Sequence, residues 1–128
     1  MGPKYAAQRK ALQELGIQSE NCKIKDIQYL TRILYSADST PKWSEHELDY
    51  ILLLKSQQKT IEMDPNPEEV QNVMFLKKSD LNDFIRQNGE EKFTPWFLLM
   101  SRNLLPKWWS NLDNLQPFVD HENITRFY

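Results

Sequence analysis

An α/β layered domain is the fold class this sequence predicts, and three observations predict it. Lys4 to Leu15 is free of Gly and Pro, rich in Ala, Gln, Leu, Lys and Arg, and closed by Gly16. That is the composition of a helix followed by its C-terminal cap. Ile51-Leu52-Leu53-Leu54 is an uninterrupted apolar run, as in a strand covered by helices on both faces. Thr94-Pro95-Trp96-Phe97 sets an N-cap residue before a proline at the first helical position, so a second helical region follows the strands. The 128 residues are enough for one domain with a single core.

The remaining elements follow from local chemistry. After Gly16 a polar loop leads to Ile27 to Tyr35, where Tyr29, Leu30, Ile33 and Tyr35 favour a strand. Ser36 to Lys42 is a connection, and the next strand enters at Glu45 and runs to Leu54. Asp64-Pro65-Asn66-Pro67 is a rigid, non-helical loop, because each proline restricts itself and the residue before it. Val70 to Lys77 alternates, with Val73 and Phe75 on one side, and predicts a third strand. Ser79 is the expected N-cap of a helix through about Gln87. Another helix runs from Pro95 to Asn103 or Leu104, and a last one begins at Lys107-Trp108-Trp109.

Composition excludes some function classes. The 16 basic and 18 acidic residues nearly cancel, so no global field argues for nucleic acid or an anionic membrane. The one cysteine, Cys22, lies in a polar stretch and cannot form an internal disulfide, which fits a reducing compartment. No apolar run is long enough to span a bilayer and the first residues lack a signal-peptide core, so a cytoplasmic protein is expected. Four tryptophans belong in a core or around a ligand.

The residues with the most chemical content are in Trp43-Ser44-Glu45-His46-Glu47-Leu48-Asp49-Tyr50. On a strand, Glu45 and Glu47 leave on one side and His46 on the other. Two carboxylates that close raise each other's cost of ionising unless a cation or proton lies between them. The pair is therefore either a metal or acid/base site, or a solvated strand end. On the first helix, Lys10 and Glu14 share a face at a spacing that suits an ordinary surface ion pair.

Seven ordered strings carry a resemblance. They are Gln8-Arg9 with Glu14-Leu15-Gly16-Ile17, Leu30-Thr31-Arg32-Ile33-x-Tyr35, Trp43-x-Glu45-His46-Glu47-x-Asp49-Tyr50, Asp64-Pro65-x-Pro67, Thr94-Pro95-Trp96-Phe97, Lys107-Trp108-Trp109 and Phe118-Val119-Asp120-His121-Glu122. Together they closely resemble type I isopentenyl-diphosphate isomerases, from about Gly2 to the chain's end, matching only the C-terminal half or so of such an enzyme. The resemblance implies a Nudix-like α/β/α sandwich with a mixed sheet, lacking the family's N-terminal strands.

The family interconverts isopentenyl and dimethylallyl diphosphate by adding a proton to one face of an alkene and removing one from the other. That route passes through a tertiary carbocation and needs an acid, a base, a diphosphate anchor and a dry pocket. By resemblance, Glu47 is the acid/base carboxylate and a ligand of the catalytic divalent metal, with Glu45 its neighbouring ligand. Tyr35 hydrogen-bonds Glu47 and helps to deliver the proton, and Trp96 turns its ring face to the cationic carbon. Glu14 binds the Mg²⁺ that bridges to the diphosphate. Lys10 stands where the family usually has an arginine on that diphosphate, keeping the charge but losing the bidentate fork.

Two departures limit what the resemblance implies. The family's other acid/base group is a cysteine in a Cys-Ser-His-Pro-like segment, and three histidines complete its Zn²⁺ or Mn²⁺ site; all lie ahead of the part matched here. Two carboxylates alone predict weak Zn²⁺ or Mn²⁺ binding, and turnover by these 128 residues alone is not implied. An incomplete sheet also predicts an open strand edge, with a complementing N-terminal segment or self-association as its partner. A fragment of a longer gene, a degenerate paralogue and half of a split protein all fit. A Nudix pyrophosphohydrolase is disfavoured, because Lys10 and Gln13 replace Mg²⁺-binding glutamates. A non-catalytic interaction domain is the other alternative.

Overall fold

The computed structural model describes residues 2–37, 45–56 and 61–127, with the side chains of residues 35–37, 45–47 and 127 outside that description. The order is α1 (Pro3–Leu15), β1 (Ile27–Ala37), β2 (Glu45–Leu54), α2 (Leu81–Asn88), α3 (Pro95–Asn103), α4 (Leu105–Ser110) and β3 (Ile124–Phe127), with short 3-10 turns between them. The strands form one sheet in the order β2-β1-β3. β3 runs parallel to β1, with Arg32 opposite Ile124 and Tyr35 opposite Phe127. The Lys55 N–H donates to the Asp26 carbonyl and the Tyr29 ring lies 6.4 Å from that of Tyr50, so β1 and β2 are antiparallel and the sheet is mixed. This is the α/β arrangement expected.

β1 is central because its side chains are apolar on both faces. Tyr29, Leu30, Thr31 and Ile33 are all buried, and Leu30 and Ile33 are fully so, which a strand tolerates only between two neighbours and under cover.

The chain divides into two compact units, residues 1–29 with 50–75 and residues 30–49 with 76–128. In the first, Ile17, Cys22 and Ile27 make a core against which Ala11, Leu15, Leu52, Leu54, Ile61 and Met63 pack. Cys22 corrects the expectation drawn from its polar neighbours: only 3% of it is exposed, and burial, with Asp26 nearby, pushes its thiol pKa up. In the second unit, α2 buries Ile85 and half-buries Leu81 and Phe84, the spacing of one helical face. α4 buries Trp108, and Leu115 packs in the same unit.

Three expected boundaries move. Val70 to Lys77 is not a strand. Its N–H groups find local acceptors, Val70 donating to the Asn66 carbonyl and Val73 to the Asn72 side chain, while Met74 and Phe75 are more than half exposed. A short amide side chain competing for the backbone explains why alternation alone misled here. Ser79 lies inside a 3-10 turn (Lys78–Asp80), and Asp80 takes the cap position of α2 without a side-chain cap bond. The third strand is instead β3, and α4 starts two residues before Lys107. Thr94 and Pro95 open α3 as expected, although the Thr94 hydroxyl makes no cap bond.

Candidate functional site

On the first unit, the site begins at the C-terminus of α1. Helix ends leave carbonyls unsatisfied, and here a loop satisfies them: Asp64 N–H donates to Leu15 O and Asn66 N–H to Glu14 O, both at 2.9 Å. Gly16 makes that approach possible. It sits at φ 65°, its N–H returning to Leu12 O, and a Cβ there would overlap the Asp64 carbonyl oxygen and lie 2.7 Å from its carbonyl carbon and amide nitrogen. The Asp64-Pro65-Asn66-Pro67 string therefore acts as a clasp. It fixes the backbone of Glu14, whose side chain is half-buried, while Lys10, one turn earlier, is exposed. The Lys10–Glu14 ion pair expected from spacing is not among the described ion pairs, which are Arg86–Asp83 and Arg102–Glu90. Lys10 therefore stands without that carboxylate partner.

On the second unit, Trp96 is the second residue of α3 and half-buried. Its ring meets Phe97 edge-on at 6.2 Å, Phe97 stacks on Phe93 at 5.8 Å, and Phe93 meets Phe84 edge-on at 6.1 Å. Phe84 and Phe93 were not recognised from the sequence; the density of aromatic residues from Phe93 to Phe97 was the available signal. A ring held by this file of rings presents a fixed π-face, which is what a cationic centre requires of it.

Tyr35 lies on β1 opposite Phe127, and β2 begins at Glu45, so the strand expected to carry Glu45 and Glu47 is present. The side chains of Tyr35, Glu45, His46 and Glu47, and the whole of Trp43, lie outside the described residues. The site residues predicted from sequence thus fall in two groups, Lys10 and Glu14 in the first unit and Tyr35, Glu45, Glu47 and Trp96 in the second. Among the described residues, no three of His, Cys, Asp and Glu are placed to hold a metal ion.

The C-terminal string Phe118-Val119-Asp120-His121-Glu122 also finds a place. Asp120 N–H donates to Leu30 O at 2.8 Å, and the Arg32 guanidinium donates to His121 O at 3.1 Å. The Asp120 carboxylate accepts from the N–H groups of Asn123 and Glu122. Those backbone bonds hold its carboxyl below the usual range, with the Asn123 side chain and the Arg32 charge adding to them. This turn delivers β3 to the edge of β1. Its sequence has neither a long apolar run nor a marked alternation, which is why the strand after it was missed.

Comparison with known proteins places this geometry in a family. The model of the NUDIX domain matches residues 2–97. The chain belongs to the NUDIX family. As a NUDIX protein it is also similar, over nearly its whole length, to curated isomerases. "Isopentenyl-diphosphate Delta-isomerase 1" of Mus musculus is 42% identical over 128 residues, covering 98% of this chain and 55% of the relative. "Isopentenyl-diphosphate delta-isomerase" of Candida albicans is 44% identical over 124 residues, covering 94% and 43%. The Dictyostelium discoideum "Isopentenyl-diphosphate Delta-isomerase" is 37% identical over 131 residues, covering 99% and 54%. The NUDIX chain spans about half the length of the curated relatives it matches. No helix of the described residues is long and apolar enough to cross a membrane.

Proposed function

We propose that this chain works in the interconversion of isopentenyl and dimethylallyl diphosphate, the reaction its relatives are named for. The observation that carries the reading is identity of 37% to 44% with those isomerases across almost all of this chain. It is joined by the seven ordered strings, which include each residue type the chemistry needs. In this reading Glu47, with Tyr35 hydrogen-bonded to it, exchanges a proton with the terminal alkene carbon. The positive charge then rests on the tertiary carbon, where the Trp96 ring stabilises it without forming a bond that would trap it. Lys10 meets the diphosphate as a point charge.

The donor chemistry separates the two metals expected. Magnesium is commonly held by one or two carboxylates together with substrate phosphates, so Glu14, fixed by its loop clasp and half-buried, fits as the protein's share of a Mg²⁺ bridging to diphosphate. When bound, that ion supplies charge neutralisation on the leaving oxygens. A Zn²⁺ or Mn²⁺ site at Glu45 and Glu47 does not fit. The sequence has only His46 and His121 as imidazoles; the first alternates away from the two glutamates along the strand, and the second lies on the C-terminal turn. No step is therefore assigned to a transition metal, and the intracellular compartment expected from sequence stays part of this proposal.

The experiment is diphosphate binding by calorimetry with isopentenyl diphosphate and Mg²⁺. Binding that requires Mg²⁺ and weakens roughly tenfold in both Glu14→Gln and Lys10→Ala, as for loss of one charged contact, is the expected result. Binding unaffected by either substitution refutes the assignment. A hydrolase reading has less support, since Lys10 and Gln13 stand where that chemistry needs carboxylates.

A further inference from the structure

β2 ends the sheet on the side away from β3, so it has β1 as its one neighbour among the described residues. Natural edge strands are usually short, charged, bulged or carry proline. This one is ten residues long, and its second half is Tyr50-Ile51-Leu52-Leu53-Leu54. Tyr50 is 49% exposed and Leu48 43%, and Ile51 to Leu54 are each only half-buried, so the strand is wet on both faces. Whatever covers such an edge must be a strand, to take up its outward N–H and C=O groups, and must be apolar on both faces. Among the described strands β2 alone has that composition with an open edge, since β1 is paired on both sides and Ile124–Phe127 interrupts its apolar ends with Thr125 and Arg126.

The hydrogen bonds fix which register would work. Lys55 N–H points to β1, where it donates to Asp26 O. Partners alternate along an antiparallel edge strand, so Leu54, Leu52, Tyr50 and Leu48 direct their backbone groups outward. We propose that the chain self-associates through this edge, two copies pairing antiparallel about a two-fold axis at Leu52. Leu52 then faces Leu52 of the second copy and Tyr50 faces Leu54, giving about six inter-chain N–H···O bonds over those three pairs. Ile51 faces Leu53 in the closer, non-hydrogen-bonded pairs. The same register sets Asp49 opposite Lys55 at both ends, an opposite-charge pair of the kind that favours one register over its neighbours. Shifting the axis by one residue to Ile51 would oppose Asp49 with Leu53 instead. Both charged residues also interact within their own chain, so the pair selects register and the apolar ladder supplies the affinity. A two-fold contact of this kind closes on itself and stops at two copies. The surface is separate from the residues assigned to isomerisation, and its test is independent of that reading.

Sedimentation equilibrium across a concentration series, with far-ultraviolet circular dichroism to verify folding, tests it. The expected result is a monomer–dimer equilibrium. Leu52→Lys, which places two ammonium groups face to face, and Lys55→Asp, which sets two like-charge pairs at the ends, each weaken dimerisation roughly tenfold or more. The double exchange Asp49→Lys with Lys55→Asp, conservative at the surface even if Leu52→Lys perturbs folding, restores the charge pairing and with it the wild-type affinity. A folded wild-type chain that stays monomeric at every concentration overturns the proposal. So does a dimer insensitive to the charge reversals, one whose affinity the double exchange leaves unrestored, or growth of open-ended species beyond two copies.

Discussion

Replacing Gly16 by alanine tests how the first unit holds Glu14 in place. Two effects act against the substitution. A residue with a Cβ in the left-handed region costs about 1–2 kcal/mol. The new Cβ would also overlap the Asp64 backbone, so the loop must lift and the bonds from Asp64 N–H to Leu15 O and from Asn66 N–H to Glu14 O are lost. Each is worth about 1 kcal/mol net. Against this, alanine restricts the unfolded chain and returns about 0.4–1 kcal/mol. The balance is a loss of about 2–3.5 kcal/mol. In urea, with a slope of about 1–3 kcal/mol per molar, the midpoint falls by about 1–2 M and the slope is unchanged. A midpoint shift corresponding to less than about 0.5 kcal/mol, under what the left-handed backbone alone costs, would refute the clasp, because it would show that the loop can move away without penalty.

Two other outcomes follow from groups whose titration the fold alters. Cys22 is buried with its thiol pKa raised, so a thiol-specific reagent should label the native chain on the order of a hundredfold more slowly than the urea-unfolded chain; equal rates would contradict its burial. Because the folded thiol holds its proton to higher pH than the unfolded one, stability from this group is intact below about pH 8.5 and falls as the pH rises past it. Asp120 has the opposite sign. Its carboxyl is lowered by the Asn123 and Glu122 backbone bonds, so its contribution is present above about pH 4 and is lost as pH falls through the lower folded value. Urea midpoints of wild type and Asp120→Ala should therefore converge on acidification, and a gap that persists unchanged at low pH would contradict the turn's role.

The sequence carried the parts of the fold that depend on local rules. α1 with Gly16, the opening of α3 at Thr94-Pro95, and the strands containing Tyr29 to Ile33 and Ile51 to Leu54 are fixed by capping, proline geometry and apolar pattern. The errors arose where tertiary partners decide. Asn66 and Asn72 take the N–H groups that would have made Val70 to Lys77 a ladder strand. Ile124–Phe127 becomes a strand because the turn at Asp120 hangs it beside β1, a long-range event without a local pattern. Cys22 was misjudged for the same reason, since Gln8 donates to its carbonyl across fourteen residues and the core closes over it despite polar neighbours. For the candidate site, residue types and spacing were legible through family resemblance. The aromatic file behind Trp96 was not, because Phe84 and Phe93 meet only once α2 and α3 are in place.

Deuterium exchange tests the functional account most directly. Isopentenyl diphosphate is incubated with the chain and Mg²⁺ in D₂O, and the recovered diphosphates are examined by NMR. A carboxyl group that delivers a deuteron to the terminal carbon, and takes back a proton from the resulting methyl group, labels that carbon even before any proton leaves the opposite face. The account predicts deuterium at the terminal carbon, abolished by Glu47→Gln and sharply reduced by Trp96→Leu. A folded wild-type chain that labels no faster than Glu47→Gln would contradict it.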